Sequence, residues 1–140
     1  MIKIFILQLA FIQIILARTI DYENKELVIM LNEYFNAPSH APELLGYSFY
    51  NRENQKIFQI EIKTDPNLVN NVLLFSFKSI NELVNISKTE FTHSIIVIHF
   101  ITNNLPIIAE SRLECSKRFF IDEKDNEETW RKSCLIINNY

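Results

Sequence analysis

An apolar stretch opens the chain. Residues 4–17 (IFILQLAFIQIILA) are interrupted only by two glutamines and follow a single lysine, Lys3. This run has 14 residues, whereas a membrane-spanning helix needs about 20 and the apolar core of a secretory signal peptide about 7–15. We therefore predict a signal peptide over residues 1–17 and a secreted domain over residues 18–140 with no membrane association after cleavage. An uncleaved anchor and a buried core helix are the alternatives.

The next periodic segment has helical spacing. Asp21 or Asn24 can cap its start, and Pro38 and Pro42 stop it. Its apolar residues stand at positions i, i+3, i+4, i+7 and i+8, which places them on one face of a helix. They are Leu27, Met30, Leu31, Tyr34 and Phe35. The pattern predicts one amphipathic helix near the beginning of the secreted domain.

From Leu45 onward the apolar period changes to two, which is typical of strands with one buried face. Ser79 and Glu82 resemble a capping box and predict a short helix over residues 80–86. Six segments are strand-like: 45–50, 58–63, 73–77, 92–102, 107–121 and 128–138. We therefore predict an α+β domain whose N-terminal helix packs on a strongly bent antiparallel meander of five to six strands.

Composition and charge exclude several function classes. The chain has 140 residues, a formal net charge of −3 and one glycine, Gly46. A single glycine leaves no glycine-rich loop for a nucleotide phosphate. The acidic balance, and basic residues that fall on both faces of the predicted strands, argue against a nucleic-acid partner.

Three segments resemble a known superfamily. Leu74–Ser79 and Ile95–Ile98 are similar to the third and fourth strands of the nuclear transport factor 2-like superfamily, and Thr129–Lys132 is similar to its closing strand. The resemblance implies a cone formed by a bent sheet around one helix, with an apolar cavity. The expected lining residues are Phe75, Phe77, Ile96, Ile98 and Phe100. They would hold a small apolar ligand, unless they simply fill the core.

Cystatins are the second resemblance, because they also wrap a sheet around one helix and carry a late disulfide hairpin. Their inhibitory loop has the pattern Gln-x-Val-x-Gly. The nearest segment here is Gln59–Lys63, which lacks the glycine and has the alternation of a strand.

The chain has two cysteines, Cys115 and Cys134. In a secreted chain we expect them to form a disulfide, with two buried thiols as the alternative. If the two cysteines faced each other in a terminal hairpin, three further pairs would follow. These are Phe119 with Trp130, Leu113 with Ile136, and Lys117 with Lys132.

The remaining polar residues predict no catalytic, metal or cofactor site. His93 and His99 share one strand face, but about 20 Å of strand separates them, which is too far for one metal ion. His40 stands alone in a proline-flanked loop, and no histidine has a recognisable orienting partner. A calcium loop needs a glycine at its sixth position and a glutamate at its twelfth, and counting from Asp122 these positions are Glu127 and Ser133.

Asn85 begins the one Asn-x-Ser/Thr sequon and is a predicted glycosylation site. Together these features predict a secreted, single-domain, non-enzymatic binding module for a small apolar ligand or an extracellular protein. A cystatin-like protease inhibitor and an isomerase-like enzyme remain the alternatives.

Overall fold

The computed structural model describes residues 22–36 and 41–139, and of Asn139 only the backbone. The predicted signal peptide and His40 lie outside the described residues. The described elements run in the order α1 (Asn24–Asn36), β1 (Glu43–Arg52), β2 (Gln55–Thr64), α2 (Val69–Asn85), β3 (His93–Phe100), β4 (Ile107–Arg112), α3 (Leu113–Phe120), α4 (Glu127–Ser133) and β5 (Leu135–Asn139). The predicted α+β class is confirmed.

The five strands form one sheet in the order β1-β2-β3-β4-β5. Strands β1 and β2, β3 and β4, and β4 and β5 are antiparallel, but β2 and β3 are parallel. Helix α2 makes the crossover between these parallel strands, as a parallel connection requires. The sheet is therefore mixed, and the prediction of an antiparallel meander is wrong.

Helix α2 takes the place of a predicted strand. The alternation of Leu73, Phe75 and Phe77 favoured a strand, and the helix near residues 80–86 was expected to be separate. The buried residues of α2 instead recur at helical spacing along the whole segment: Val72, Leu73, Ser76, Phe77, Ile80 and Leu83. Ser79 does not cap a new helix, because its hydroxyl donates to the carbonyl of Phe75 at 2.8 Å within α2.

Helix α1 packs against α2. Its buried side chains are Leu27, Leu31 and Phe35. The ring of Phe35 meets that of Phe75 edge-on, with centroids 5.2 Å apart. Tyr34, which is half-buried, donates a hydrogen bond of 2.6 Å from its hydroxyl to Glu82 Oε2 of α2.

Two short helices replace the predicted terminal hairpin. Helix α4 begins at a cap in which the Asn126 side chain accepts from the Thr129 N–H at 2.8 Å. The predicted strand register is therefore wrong. Phe119 and Trp130 do stack, with centroids 5.8 Å apart, but between two helices.

The other two pairs of that register do not form. Leu113 is buried in α3. Ile136 lies in β5 and is in register with Glu110 of β4. Lys117 and Lys132 lie on separate helices. The actual helices follow from local signals, since acidic side chains occupy the first turn of each helix and basic ones the last.

The two faces of the sheet have different surroundings. Alternate residues of β2, β3 and β4 join the side chains of α1 and α2 in the hydrophobic core: Phe58, Ile60, Ile62, Ile96, Ile98 and Ala109. The residues between them point the other way, and we call this second side the open face. In the part of the chain that the structure describes, no helix is long and apolar enough to cross a membrane.

Candidate functional site: a groove on the open face

One row of side chains crosses the open face. The strand register aligns Gly46 with Glu61, Glu61 with Val97, Val97 with Ile108, and Ile108 with Asn138. Neighbouring strands lie about 4.8 Å apart, so the row runs about 19 Å from β1 to β5. It presents a carboxylate, two apolar side chains and an amide in sequence, and we call it the transverse row.

The transverse row lies in a surface groove of about 800 Å³. Ile95, Val97 and Ile108 supply its apolar surface, and Leu105 and Pro106 line it from the loop between β3 and β4. Its polar lining residues come from all five strands of the sheet: Tyr50, Arg52, Gln59, Glu61, His99, Glu110 and Asn138. An apolar surface with a few polar groups is the usual composition of a small-molecule site.

Three polar contacts join side chains in and beside the groove. Arg52 forms an ion pair with Glu110 and also donates from Nη2 to Gln55 Oε1 at 2.7 Å. The Tyr50 hydroxyl donates to Gln59 Oε1 at 2.6 Å. Burial is the main cause that raises the pKa of Tyr50 above its ordinary value, so the phenol stays protonated at neutral pH.

Glu61 lies two residues after Gln59 on the same face of β2. Its side chain is 44% exposed, and His99 Nε2 lies 3.8 Å from Glu61 Oε2, which is too long for a hydrogen bond. His99 Nε2 is buried and has no hydrogen-bond partner among the residues that the structure describes. Glu61 is therefore the groove carboxylate that remains open to another partner.

The transverse row has no side chain at its β1 position, because that residue is Gly46. A Cβ built on it meets no atom within 4 Å, and its φ is not positive. The position therefore tolerates a larger side chain without backbone strain. Such a side chain would stand beside Glu61 on the open face.

The predicted cavity residues lie in a different part of the molecule. Phe77, Ile96 and Ile98 are fully buried in the hydrophobic core. Phe75 and Phe100 are half-buried against it, and Phe100 also lines a separate surface depression. These side chains contribute to the core, and an apolar cavity lined by them stays a prediction.

The predicted disulfide is confirmed, since Cys115 and Cys134 are bonded with their Cα atoms 5.6 Å apart. Asn85 is the last residue of α2 and is exposed, and its glycosylation stays a prediction.

The histidines do not assemble a site together. His93 and His99 lie at opposite ends of β3. His93 Nδ1 is 2.8 Å from Thr92 Oγ1, and burial is the main cause that lowers the pKa of His93. Among residues 22–36 and 41–139, no group of three histidine, cysteine or acidic side chains could hold a metal ion.

Sequence analysis did not identify the groove residues as a set. Glu61, Glu110 and Asn138 stand at polar positions of alternating segments, which normally face solvent. The alternation of polar and apolar residues was the one signal at these positions, and it does not specify the order of the strands in the sheet. Comparison with family models, with curated proteins and with solved structures finds no significant match to this chain.

Proposed function

We propose that the chain is a secreted binding module that takes a small ligand in the open-face groove. The transverse row carries this proposal, because its two apolar side chains, Val97 and Ile108, lie between the polar side chains of Glu61 and Asn138. The apolar run over residues 4–17 and the disulfide support secretion.

The contacts within the groove favour binding over catalysis. The Tyr50 hydroxyl donates a hydrogen bond to Gln59, and Arg52 is paired with Glu110. These side chains are suited to shaping a groove and orienting a ligand.

The position of the cystatin-like segment also favours a binding module over a cystatin-like protease inhibitor. An inhibitor of that type needs an exposed loop, and the segment closest to its motif is Gln59–Lys63. This segment lies inside β2, between β1 and β3. Gln59 and Glu61 of this segment line the groove, and Ile60 and Ile62 are buried in the core, so the segment forms no protruding loop.

The test fills the groove from Gly46. The neutral fluorescent probe N-phenyl-1-naphthylamine is titrated into the wild type, Gly46→Tyr and Asn51→Tyr. Asn51 is an exposed residue of the same strand. It is in register with Lys56, and both residues lie on the face of the sheet opposite to the groove, so Asn51→Tyr adds a tyrosine away from the groove. We expect saturable one-site binding to the wild type and Asn51→Tyr, and at least tenfold weaker binding to Gly46→Tyr. Absence of saturable binding to the wild type, or equal binding to both variants, would overturn the proposal.

A further inference from the structure

We propose that the open-face groove selects a small amine, with its ammonium group at Glu61 and an apolar body across Val97 and Ile108. This inference rests on the proposed function and names the class of ligand. It follows from the charges of the groove and from the order of side chains in the transverse row.

The charges of the groove do not balance. Its lining includes one arginine, Arg52, and two carboxylates, Glu61 and Glu110. Arg52 neutralises Glu110 through their ion pair. Glu61 is therefore the groove carboxylate that Arg52 does not neutralise, and a cationic ligand complements it.

The neighbours of Glu61 do not neutralise its carboxylate. On β1 it faces Gly46, which has no side chain, and on β3 it faces Val97, which is apolar. Among the described residues, His99 supplies the one basic nitrogen within 4.0 Å of Glu61. Lys63 follows two residues later on the same face and is in register with His99, but it does not line the groove.

The transverse row also limits the size of the ligand. Glu61 and Asn138 are separated by three strand spacings, or about 14 Å. The apolar side chains of Val97 and Ile108 occupy the positions between them. An amine with a body of about eight carbons can place its ammonium at Glu61 and extend toward the amide of Asn138. A charge-assisted hydrogen bond beside an apolar surface is stronger than the same contact in water.

The experiment compares three ligands with the same eight-carbon chain. Octylamine, octanol and octanoate each displace N-phenyl-1-naphthylamine at pH 7.5 and low ionic strength from the wild type, Glu61→Gln and Glu114→Gln. Glu114 is exposed on α3 and does not line the groove, so its variant is the matched control for loss of one carboxylate. We expect the wild type and Glu114→Gln to bind octylamine about tenfold more tightly than octanol, and octanoate most weakly. In Glu61→Gln, octylamine and octanol should bind alike.

The outcomes separate the two proposals. Saturable octanol binding with no preference for octylamine would overturn the amine inference and leave the binding groove in place. Preference for octylamine that persists in Glu61→Gln would also overturn it. Absence of any saturable binding would overturn both.

Discussion

Arg52 on β1 is ion-paired with Glu110 on β4, although β2 and β3 lie between these strands. In a flat sheet, three strand spacings and an offset of four residues along the strands would separate their Cα atoms by about 20 Å. Both side chains therefore extend across the open face toward each other. Ile57 and Ile95 lie on the intervening strands of this face and are only 0% and 5% exposed. Polar side chains here help to cover apolar ones outside the main core.

The Arg52–Glu110 pair should contribute modestly to stability. We expect Glu110→Gln to lower the free energy of unfolding by up to about 1 kcal/mol, because both side chains keep some contact with solvent. Urea denaturation at low and high ionic strength measures this loss, which should shrink with salt. Glu128→Gln is the control, since Glu128 and Lys132 form a pair that is about three-quarters exposed. An equal loss in the two variants would contradict the prediction.

Strand alternation predicted part of the fold and missed the rest for a physical reason. The segments around β1, β2 and β3 were recognised from their alternation, although β1 has no fully buried residue and β3 buries residues on both faces. Helix α2 was divided between a strand and a short helix, since Leu73, Phe75 and Phe77 also fit a period of two. The crossover that α2 makes then decides that β2 and β3 are parallel.

This crossover also explains why the candidate groove could not be predicted. Glu61 and Val97 are 36 residues apart in the sequence, and they become neighbours only through the parallel pairing of β2 with β3. In an antiparallel meander, β2 would have faced the segment that instead forms α2. Local periodicity can assign a side chain to a face, but it does not specify which strand lies beside it.

The hydrogen bond from Tyr34 to Glu82 should make stability depend on alkaline pH. The contact raises the pKa of Tyr34 from 10.0 to about 12. The neutral phenol is therefore favoured in the folded state. Its contribution is fully present below pH 10 and is lost as the pH rises through about 12.

Replacing Tyr34 by phenylalanine tests this dependence. We expect Tyr34→Phe to lower the free energy of unfolding at pH 8 by about 1 kcal/mol, and the difference from the wild type to shrink between pH 10 and 12. Urea denaturation at several pH values measures it. Tyr22→Phe is the control, because Tyr22 is exposed. A difference that is constant with pH would argue against the role of this hydrogen bond.

Trp130 should dominate the packing of the C-terminal helices. It is fully buried, and its ring lies 5.5 Å from Phe77, 5.8 Å from Phe119 and 5.0 Å from Phe120. We expect Trp130→Ala to lower the free energy of unfolding by about 3–5 kcal/mol. Trp130→Phe should cost less than half of that, because the indole Nε1 has no hydrogen-bond partner among the described residues. Denaturation followed by circular dichroism measures both, and equal losses would contradict the packing argument.

Asn85 should carry a glycan when the protein passes through a eukaryotic secretory pathway. Its side chain is exposed at the end of α2, so a transferase can reach it. Enzymatic deglycosylation should lower the mass of the secreted protein, and Ser87→Ala should abolish this shift. Ser87→Thr restores an acceptor sequence and is the matched control. An unchanged mass of the secreted wild type would refute the prediction.

The disulfide should stabilise the C-terminal part of the sheet. Cys115 lies in α3, and Cys134 lies between α4 and β5, so the bond ties both short helices to the start of the edge strand. A closed loop of this length contributes about 3 kcal/mol. We expect reduction, or Cys134→Ser, to lower the free energy of unfolding by about 2–4 kcal/mol. Urea denaturation with and without a reductant measures this loss. The double variant Cys115→Ser, Cys134→Ser should unfold identically in both conditions, which separates loss of the bond from other effects of the reductant. Labelling of two reactive thiols in the native protein would contradict the prediction.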